Sequence, residues 1–112
     1  MPFIELKTNI EIKKELINSI KSKLGSSITL LSKSEDWLMI NISDKQTMFF
    51  KGSSDNCLIL EVKCYGNISS KESSKFSKEM TDYLSKTLSI DPSRIYINYF
   101  FTSLWGYSGF NF

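Results

Sequence analysis

The sequence predicts one α+β domain built from two strand–helix–strand units, and three observations support that fold class. Apolar and polar residues alternate in four short segments, and apolar residues recur at near-helical spacing in two longer ones. Both halves of the chain show these segments in the same order. With 112 residues and 41% hydrophobic content, the chain fits one core and excludes a multidomain protein. We therefore expect a single domain over residues 1–112.

The first unit is predicted to start with a strand at residues 3–8 and to end with a strand at residues 37–42. Between them, a helix is indicated by apolar residues at near-helical spacing, namely Ile12, Leu16, Ile20, Leu24, Ile28 and Leu31. Gly25 in this helix costs about 1 kcal/mol relative to alanine, so a kink or an early end is open there. The pattern is weakest over residues 28–34.

The second unit repeats this order. A strand is predicted at residues 58–65, and another at residues 94–101, which are rich in β-branched and aromatic residues. The helix between them is indicated by Phe76, Met80, Tyr83, Leu84 and Leu88. Asp91, Pro92 and Ser93 supply the turn before the last strand.

The two faces of the predicted sheet differ in chemistry. One face of the third strand is expected to pack against both helices and carries Leu58, Leu60, Val62 and Cys64. The other face mixes aromatic residues with Glu5, Lys7, Glu61, Lys63 and Asn98. That face could meet bulk water, as is common in antiparallel and mixed sheets, or the interior of a symmetric assembly. The aromatic stretch 104–112 should be docked, and another subunit is one candidate surface.

Charge and hydropathy limit the partners and the location. The net charge of +2 comes from lysines spread along the chain, without the concentrated basic stripe of a nucleic-acid-binding protein. No apolar run reaches the roughly 18 residues that a membrane-spanning helix needs, so we expect no membrane insertion. The N-terminal residues also lack the basic and apolar regions of a signal peptide, which predicts a cytoplasmic protein.

Metal and thiol chemistry are restricted by the residue types. The chain has two cysteines, Cys57 and Cys64, and no histidine. Neither a zinc site of usual composition nor a Cys–His catalytic pair can be assembled from these residues. We expect no metal and two buried thiols.

Pro2 is a candidate general base. A small residue after an initiator methionine normally permits its removal, which would leave Pro2 as a secondary amine. An α-amino group has a reference pKa of roughly 7.7 to 8.0, and desolvation or a nearby cation lowers it toward the value that a general base needs. The simpler alternative is that Pro2 only begins a strand, where its missing N–H would bond nothing.

A set of motifs runs from one end of the chain to the other. The most specific are Pro2 and the stretch 94–99, Arg-Ile-Tyr-Ile-Asn-Tyr. Further motifs are Phe3-Ile4, Thr8-Asn9, Lys33, the Gly-Ser-Ser-Asp-Asn-Cys turn at 52–57, Asp91-Pro92-Ser93 and the final stretch 106–112. Together they resemble the macrophage migration inhibitory factor family of the tautomerase superfamily.

The resemblance implies a fold, an assembly and an activity. The fold is two split β-α-β repeats that form a four-stranded mixed sheet with two helices on one face. The assembly is a homotrimer with active sites between neighbouring subunits. The activity is keto–enol tautomerisation of small aromatic keto acids of the phenylpyruvate type, with Pro2 as catalytic base and without a cofactor.

Site residues are implied position by position. Lys33 matches the lysine that holds the substrate carboxylate, although a lysine beside acidic residues is commonly a solvated loop charge. Tyr96 and Asn98 match a polar pair contributed by the adjacent subunit, with satisfied interface polar groups as the alternative. The backbone N–H of Tyr65 matches a substrate contact. Aromatic residues at pocket-lining positions are Phe3, Trp37, Tyr107 and Phe112, for which simple packing is the alternative.

Departures from the family pattern bear on its other activities. Cys57-Leu58-Ile59-Leu60 lacks the second thiol of a Cys-x-x-Cys motif, which puts thiol oxidoreductase chemistry in doubt. Lys63 replaces a histidine, and an extra cation near the pocket would favour anionic substrates. Residues 9–13 lack the arginine linked to receptor mimicry. A secreted cytokine-like role, without a signal peptide and with a cell-surface receptor as partner, therefore remains the alternative to catalysis.

Overall fold

The computed structural model describes residues 1–112 and contains a four-stranded sheet, two helices and a short C-terminal hairpin. In chain order the elements are β1 (Pro2–Thr8), α1 (Lys14–Ser27), β2 (Met39–Ser43), β3 (Leu58–Tyr65), α2 (Ser70–Leu88), β4 (Ile95–Thr102), β5 (Gly106–Tyr107) and β6 (Phe110–Asn111). Three 3₁₀ turns lie at Ile28–Leu31, Glu35–Trp37 and Pro92–Arg94.

The large sheet has the strand order β2-β1-β3-β4. β1 and β2 are parallel, β3 and β4 are parallel, and the two pairs meet through the antiparallel contact of β1 with β3. Each parallel pair is joined by its own helix, as a β-α-β connection requires. The predicted α+β fold of two split β-α-β repeats with a mixed sheet is therefore confirmed.

One face of the sheet forms the core. β1 and β3 alternate buried and partly buried residues along their whole length, so every second side chain points toward the helices. The largest fully buried side chains come from both strands and both helices, and include Ile4, Leu60, Ile20, Leu24, Phe76 and Met80. Burying one side chain of this size contributes roughly 1.5–3 kcal/mol to the free energy of folding. The packing of both helices on one sheet face is therefore a main source of stability.

Three predicted boundaries differ from the observed ones. α1 continues through Gly25 and ends at Ser27, where the chain tightens into the 3₁₀ turn Ile28–Leu31. Gly25 leaves room for the carboxylate of Glu35, which occupies the space that a β-carbon would need. Trp37 lies in a 3₁₀ turn rather than in β2, since the Oγ of Ser34 accepts the N–H of Asp36 at 3.1 Å. Arg94 likewise lies in the turn before β4.

The second helix starts with a side-chain capping arrangement. The Oγ of Ser69 accepts the Glu72 N–H at 3.0 Å, and the Glu72 carboxylate accepts the Ser69 N–H at 2.9 Å. This capping box satisfies two backbone donors that a helix start otherwise leaves open. At the start of α1, Lys13 makes no such side-chain bond.

The outer face of the sheet carries two ion pairs across β1 and β3. Lys63 contacts Glu5 at 2.9 Å, and Lys7 contacts Glu61 at 3.0 Å. β2 and β4 each pair with one strand only, so both leave one backbone edge unpaired. No helix is long and apolar enough to cross a membrane.

Candidate active site

Pro2 lies at the N-terminal end of β1, buried and opposite Cys64 in the antiparallel ladder. The carbonyl oxygen of Met1 accepts the N–H of Tyr65 at 3.1 Å, which fixes the N-terminus against the end of β3. Met1, Pro2 and Phe3 line a cleft of about 570 Å³. That volume lies within the usual range for small-molecule sites, about 300–1,000 Å³.

Lys33 reaches this end of the sheet from the segment after α1. The 3₁₀ turn Ile28–Leu31 ends at Ser32, whose positive φ of 57° redirects the chain. The Nζ of Lys33 then donates to the carbonyl oxygen of Tyr65 at 3.2 Å. Lys33 and Tyr65, which are distant in sequence, therefore meet beside the N-terminus.

The electrostatics of this corner favour a neutral amine. Burial, followed by the positive charge of Lys33, lowers the pKa of the Met1 amino group below its ordinary value of 8.0. Burial raises the pKa of the Cys64 thiol, which keeps this neighbour protonated. The surroundings of the amino terminus thus make its unprotonated, basic form more accessible near neutral pH.

An aromatic cluster covers one side of the corner. The rings of Trp37 and Tyr107 meet edge to face with centroids 5.1 Å apart, and those of Tyr65 and Phe112 lie 5.5 Å apart. Tyr107 and Phe112 are stacked at 6.4 Å, which links the two pairs. The structure therefore brings together four of the residues predicted to form the pocket.

The C-terminal hairpin places this cluster. β5 and β6 are joined through Ser108 and Gly109, which both have positive φ angles of 52° and 87°. Such a turn matches the twist of a two-residue hairpin, and glycine enters it without steric cost. The N–H of Phe112 donates to the carbonyl of Trp105 at 3.0 Å, so the chain end folds back onto the site.

Tyr96 and Asn98 do not line the cleft of their own chain. Pro2 pairs with Cys64, and Cys64 pairs with Phe101, which is five positions from Tyr96 and three from Asn98 along β4. At about 3.3 Å per residue, these offsets are about 17 Å and about 10 Å along the strand. The structure does not bring this polar pair to the cleft of its own chain, as expected for residues that would serve a neighbouring subunit.

Packing and hydrogen bonds hold the segments around Tyr96 and Asn98 in place. Tyr96 is 58% exposed and its ring packs against Phe50 at 4.7 Å. Arg94 holds the preceding loop by donating to the carbonyl oxygens of Phe50, Ser53, Asp55 and Asn56. The Oδ1 atom of Asn98 is buried and has no hydrogen-bond partner within the chain. Burying an amide oxygen without a hydrogen bond costs free energy, so a donor from outside this chain would stabilise Asn98.

Lys63 and Phe3 have different positions relative to the cleft. Phe3 lines it, whereas Lys63 lies over the Phe3 ring at 5.6 Å and pairs with Glu5. The hydrogen bond from Lys63 lowers the pKa of Glu5. Because Glu5 offsets the Lys63 charge, the structure gives no support to its predicted role as an extra cation in the pocket.

Seven of the residues that line the cleft were not predicted as site residues: Met1, Asp36, Leu38, Met39, Leu104, Trp105 and Gly106. The Ser-Gly turn at residues 108–109 was the available signal for the hairpin that brings Trp105 there. No group of three or more His, Cys, Asp and Glu side chains is arranged to hold a metal ion.

Comparison with known proteins agrees with this geometry. The family model described as macrophage migration inhibitory factor matches residues 1–110. Macrophage migration inhibitory factor of Meriones unguiculatus is 28% identical over 103 residues, which cover 89% of this chain and 87% of the relative. D-dopachrome decarboxylase of Mus musculus is 28% identical over 106 residues, which cover 94% and 90% of the two chains.

The fold is also shared with a solved structure. The crystal structure of Leishmania major MIF2 superposes with a TM-score of 0.92 at 25% identity and covers 100% of this chain and 97% of its own. The match therefore includes the sheet, both helices and the C-terminal hairpin. The chain belongs to the macrophage migration inhibitory factor family of the tautomerase superfamily.

Proposed function

We propose that the protein, after loss of Met1, catalyses keto–enol tautomerisation of phenylpyruvate-type substrates with Pro2 as general base. The observation that carries this proposal is buried Pro2 on the wall of an aromatic cleft, next to an amino group of Met1 whose pKa burial and Lys33 lower. A lowered amine pKa, a cation and apolar walls are what proton abstraction from an anionic aromatic keto acid needs.

Removal of Met1 would change two groups at once. With Met1 present, the Pro2 nitrogen belongs to a peptide bond and has no basicity. The Met1 carbonyl also occupies the N–H of Tyr65. Removal would create a secondary amine and release this N–H, which then faces the substrate as a free donor.

In the proposed reaction, Lys33 binds the substrate carboxylate. The Pro2 nitrogen takes a proton from the carbon between the ring and the carbonyl group. The electrons of that C–H bond form the carbon–carbon double bond, and the carbonyl π electrons move to the oxygen, which gains a proton from solvent water. The protonated Pro2 amine then releases its proton to solvent, which regenerates the base. The protonated amine can return its proton in the reverse direction, so one base serves both directions.

The site would be completed by self-association. The family fold and the unpaired strand edges favour assembly, and we propose the homotrimer that the resemblance implies. Tyr96 and Asn98 of a neighbouring copy would then approach the cleft, where the unpaired Oδ1 of Asn98 would gain a partner. Exposed aromatic residues on β4, Phe100 and Phe101, are suited to the same contact.

The test is turnover of phenylpyruvate by protein whose intact mass shows loss of one methionine. The matched control is the same protein with a short N-terminal extension that retains the peptide bond to Pro2. We expect activity in the first sample and loss of nearly all of it in the second. Equal activity in both samples would exclude Pro2 as the base.

A further inference from the structure

Two hydrogen bonds join the turn that carries Lys33 to the segment between the end of β3 and the first turn of α2. In one, the Nζ of Lys33 donates to the carbonyl oxygen of Tyr65 at 3.2 Å. In the other, the Oγ of Ser32 donates to the Oε2 of Glu72, 40 positions further along the chain. The side chain of Lys33 and the backbone beside it are therefore both attached to the same segment.

Ser32 is the point where the chain changes direction before Lys33. Its φ of 57° lies in the left-handed region, which persists in residues other than glycine when the surrounding contacts enforce it. Its N–H donates to the carbonyl oxygen of Thr29 at 2.9 Å, which attaches its backbone to the preceding 3₁₀ turn. Because its hydroxyl also binds Glu72, Ser32 is held from two sides, and this restricts the direction in which Lys33 leaves the turn.

Glu72 uses both of its carboxylate oxygens. Oε1 accepts the N–H of Ser69 in the capping box at 2.9 Å, while Oε2 accepts the hydroxyl of Ser32. The hydrogen bond from Ser32, followed by those with Ser69, lowers the pKa of Glu72 below its ordinary value of 4.5, and the charge of Lys33 acts in the same direction. The carboxylate is therefore ionised at neutral pH, and ionised acceptors form the stronger hydrogen bonds.

The charge of Lys33 stays available to a ligand. The four ion pairs of the chain do not include Lys33, whose ammonium group contacts a neutral carbonyl oxygen. At Gly66 a β-carbon would lie 3.6 Å from the Nζ of Lys33, so the backbone runs close beside the ammonium group. Glu72 thus supports the turn through Ser32, without an ion pair to Lys33 that a substrate carboxylate would have to break.

We propose that Glu72 is a positioning residue for Lys33, holding the turn at Ser32 in the orientation in which Lys33 binds the substrate carboxylate. The inference rests on the proposed function, since it assumes that Lys33 binds that carboxylate. Neither Glu72 nor Ser32 lines the cleft, so both act on the substrate only through Lys33. A side chain that is already ordered loses less entropy when its ligand binds, so the effect belongs in KM rather than in kcat.

The first experiment measures phenylpyruvate turnover by processed protein with Ser32→Ala, Glu72→Ala or Ser69→Ala. Ser32→Ala removes the bond to Glu72 and leaves the capping box, whereas Ser69→Ala removes the cap hydroxyl and leaves that bond. We expect KM to rise about three- to tenfold in the first two variants, the cost of ordering one long side chain on binding, with kcat changed less than about twofold.

Ser69→Ala is the matched control for the helix cap. It should lower the free energy of unfolding and leave KM unchanged, because the bond between Ser32 and Glu72 remains. Equal KM in the unsubstituted protein and all three variants would overturn the inference. A rise of KM in Ser69→Ala as large as that in Ser32→Ala would also overturn it, since the effect would then follow from the stability of α2.

A second experiment separates this inference from the proposed reaction. Calorimetry would measure the affinity of 3-phenylpropanoate, an unreactive carboxylate, for Ser32→Ala and Glu72→Ala, each with and without Lys33→Ala. We expect both variants to weaken binding when Lys33 is present and to have no further effect when it is absent, because the residues act through one contact. That result without turnover of any keto acid would exclude the reaction and retain the positioning role.

The remaining outcomes also decide between the two proposals. Equal weakening of binding with and without Lys33 would overturn the positioning role and leave the reaction in place. Absence of both turnover and binding in the unsubstituted protein would overturn both.

Discussion

The two β-α-β units have the same topology but differ in helix length, capping and surface. In the first unit, α1 has 14 residues and no side-chain cap, and β2 has five residues. In the second unit, α2 has 19 residues with a capping box, and β4 has eight residues. The first unit carries Pro2, Lys33 and Asp36, whereas the second carries Tyr96 and Asn98 on β4.

The two units therefore contribute different features to the molecule although they share one topology. The first unit supplies the corner of the candidate site, where two 3₁₀ turns precede the short strand β2 near the N-terminus. The second unit has the longer, capped helix and a longer edge strand with exposed aromatic residues. Variants in the two units should therefore differ in whether they change kcat/KM, the sharing of sites between copies, or the free energy of unfolding.

The largest expected effect comes from Pro2→Gly. Glycine retains a terminal amine after Met1 removal, yet a primary and more mobile one, so kcat/KM should fall by about 10² or more. The circular dichroism spectrum and the melting temperature should remain close to those of the unsubstituted protein. Unchanged kcat/KM in the folded variant would contradict a catalytic role for Pro2.

Asn98→Ala tests whether the second unit serves the site of another copy. We expect a loss of about tenfold or more in kcat/KM, because the reacting group would lose a polar contact. Refolding this variant together with Pro2→Gly should restore part of the activity, since a mixed assembly contains sites with both residues intact. Activity of the mixture that merely equals the sum of the two variants would argue against shared sites.

Lys33→Ala should affect both substrate binding and the pH profile. Loss of the ammonium group should raise KM for an anionic substrate. Lys33 lowers the pKa of the Met1 amino group. We expect the same effect on the Pro2 amine after processing, so removal of Lys33 should raise its pKa and move the acidic limb of the kcat/KM profile to higher pH. Lys23→Ala is a suitable control, since Lys23 pairs with Glu79 on the helical side. An equal pH shift in both variants would exclude a specific effect of Lys33.

Ser69→Ala should lower stability with little effect on chemistry. Loss of the cap at α2 should lower the free energy of unfolding by about 0.5–2 kcal/mol, with kcat/KM per folded molecule retained. Lys13→Ala is the matched position at α1, and its effect should be smaller because Lys13 makes no capping bond. Denaturant unfolding of both variants measures the difference, and equal losses would mean that the two helix starts do not differ.

Periodicity in the sequence was sufficient to predict the repeated units and the core face. The alternation in β3 from Leu58 to Tyr65 is the burial pattern that the structure shows. The boundaries at Trp37 and Arg94 were wrong because side-chain caps from Ser34 and Asp91 specify short 3₁₀ turns there. Periodicity carries no information about such local bonds.

The candidate site was harder to predict than the fold from the residue pattern alone. Lys33 and Tyr65 meet through a side-chain bond to a backbone carbonyl, which no spacing rule indicates. Asp36 was absent from the predicted site because its place in the cleft depends on the turn after Ser34 and on the hairpin opposite. The residue resemblance supplied most of the candidate site, and the three-dimensional packing supplied the rest.

The antiparallel contact between β1 and β3 has a consequence for the origin of the fold. It relates the two units by an approximate two-fold axis through the centre of the sheet. A free unit with only β1 and β2 would expose the edge of β1 that pairs with β3 in the whole chain. A second copy of the unit could cover that edge with its own first strand. Gene duplication and fusion of a dimeric ancestor would then produce this chain, with residues 44–57 as the joining segment. Fragments cut within that segment should regain the circular dichroism spectrum of the whole protein only when mixed.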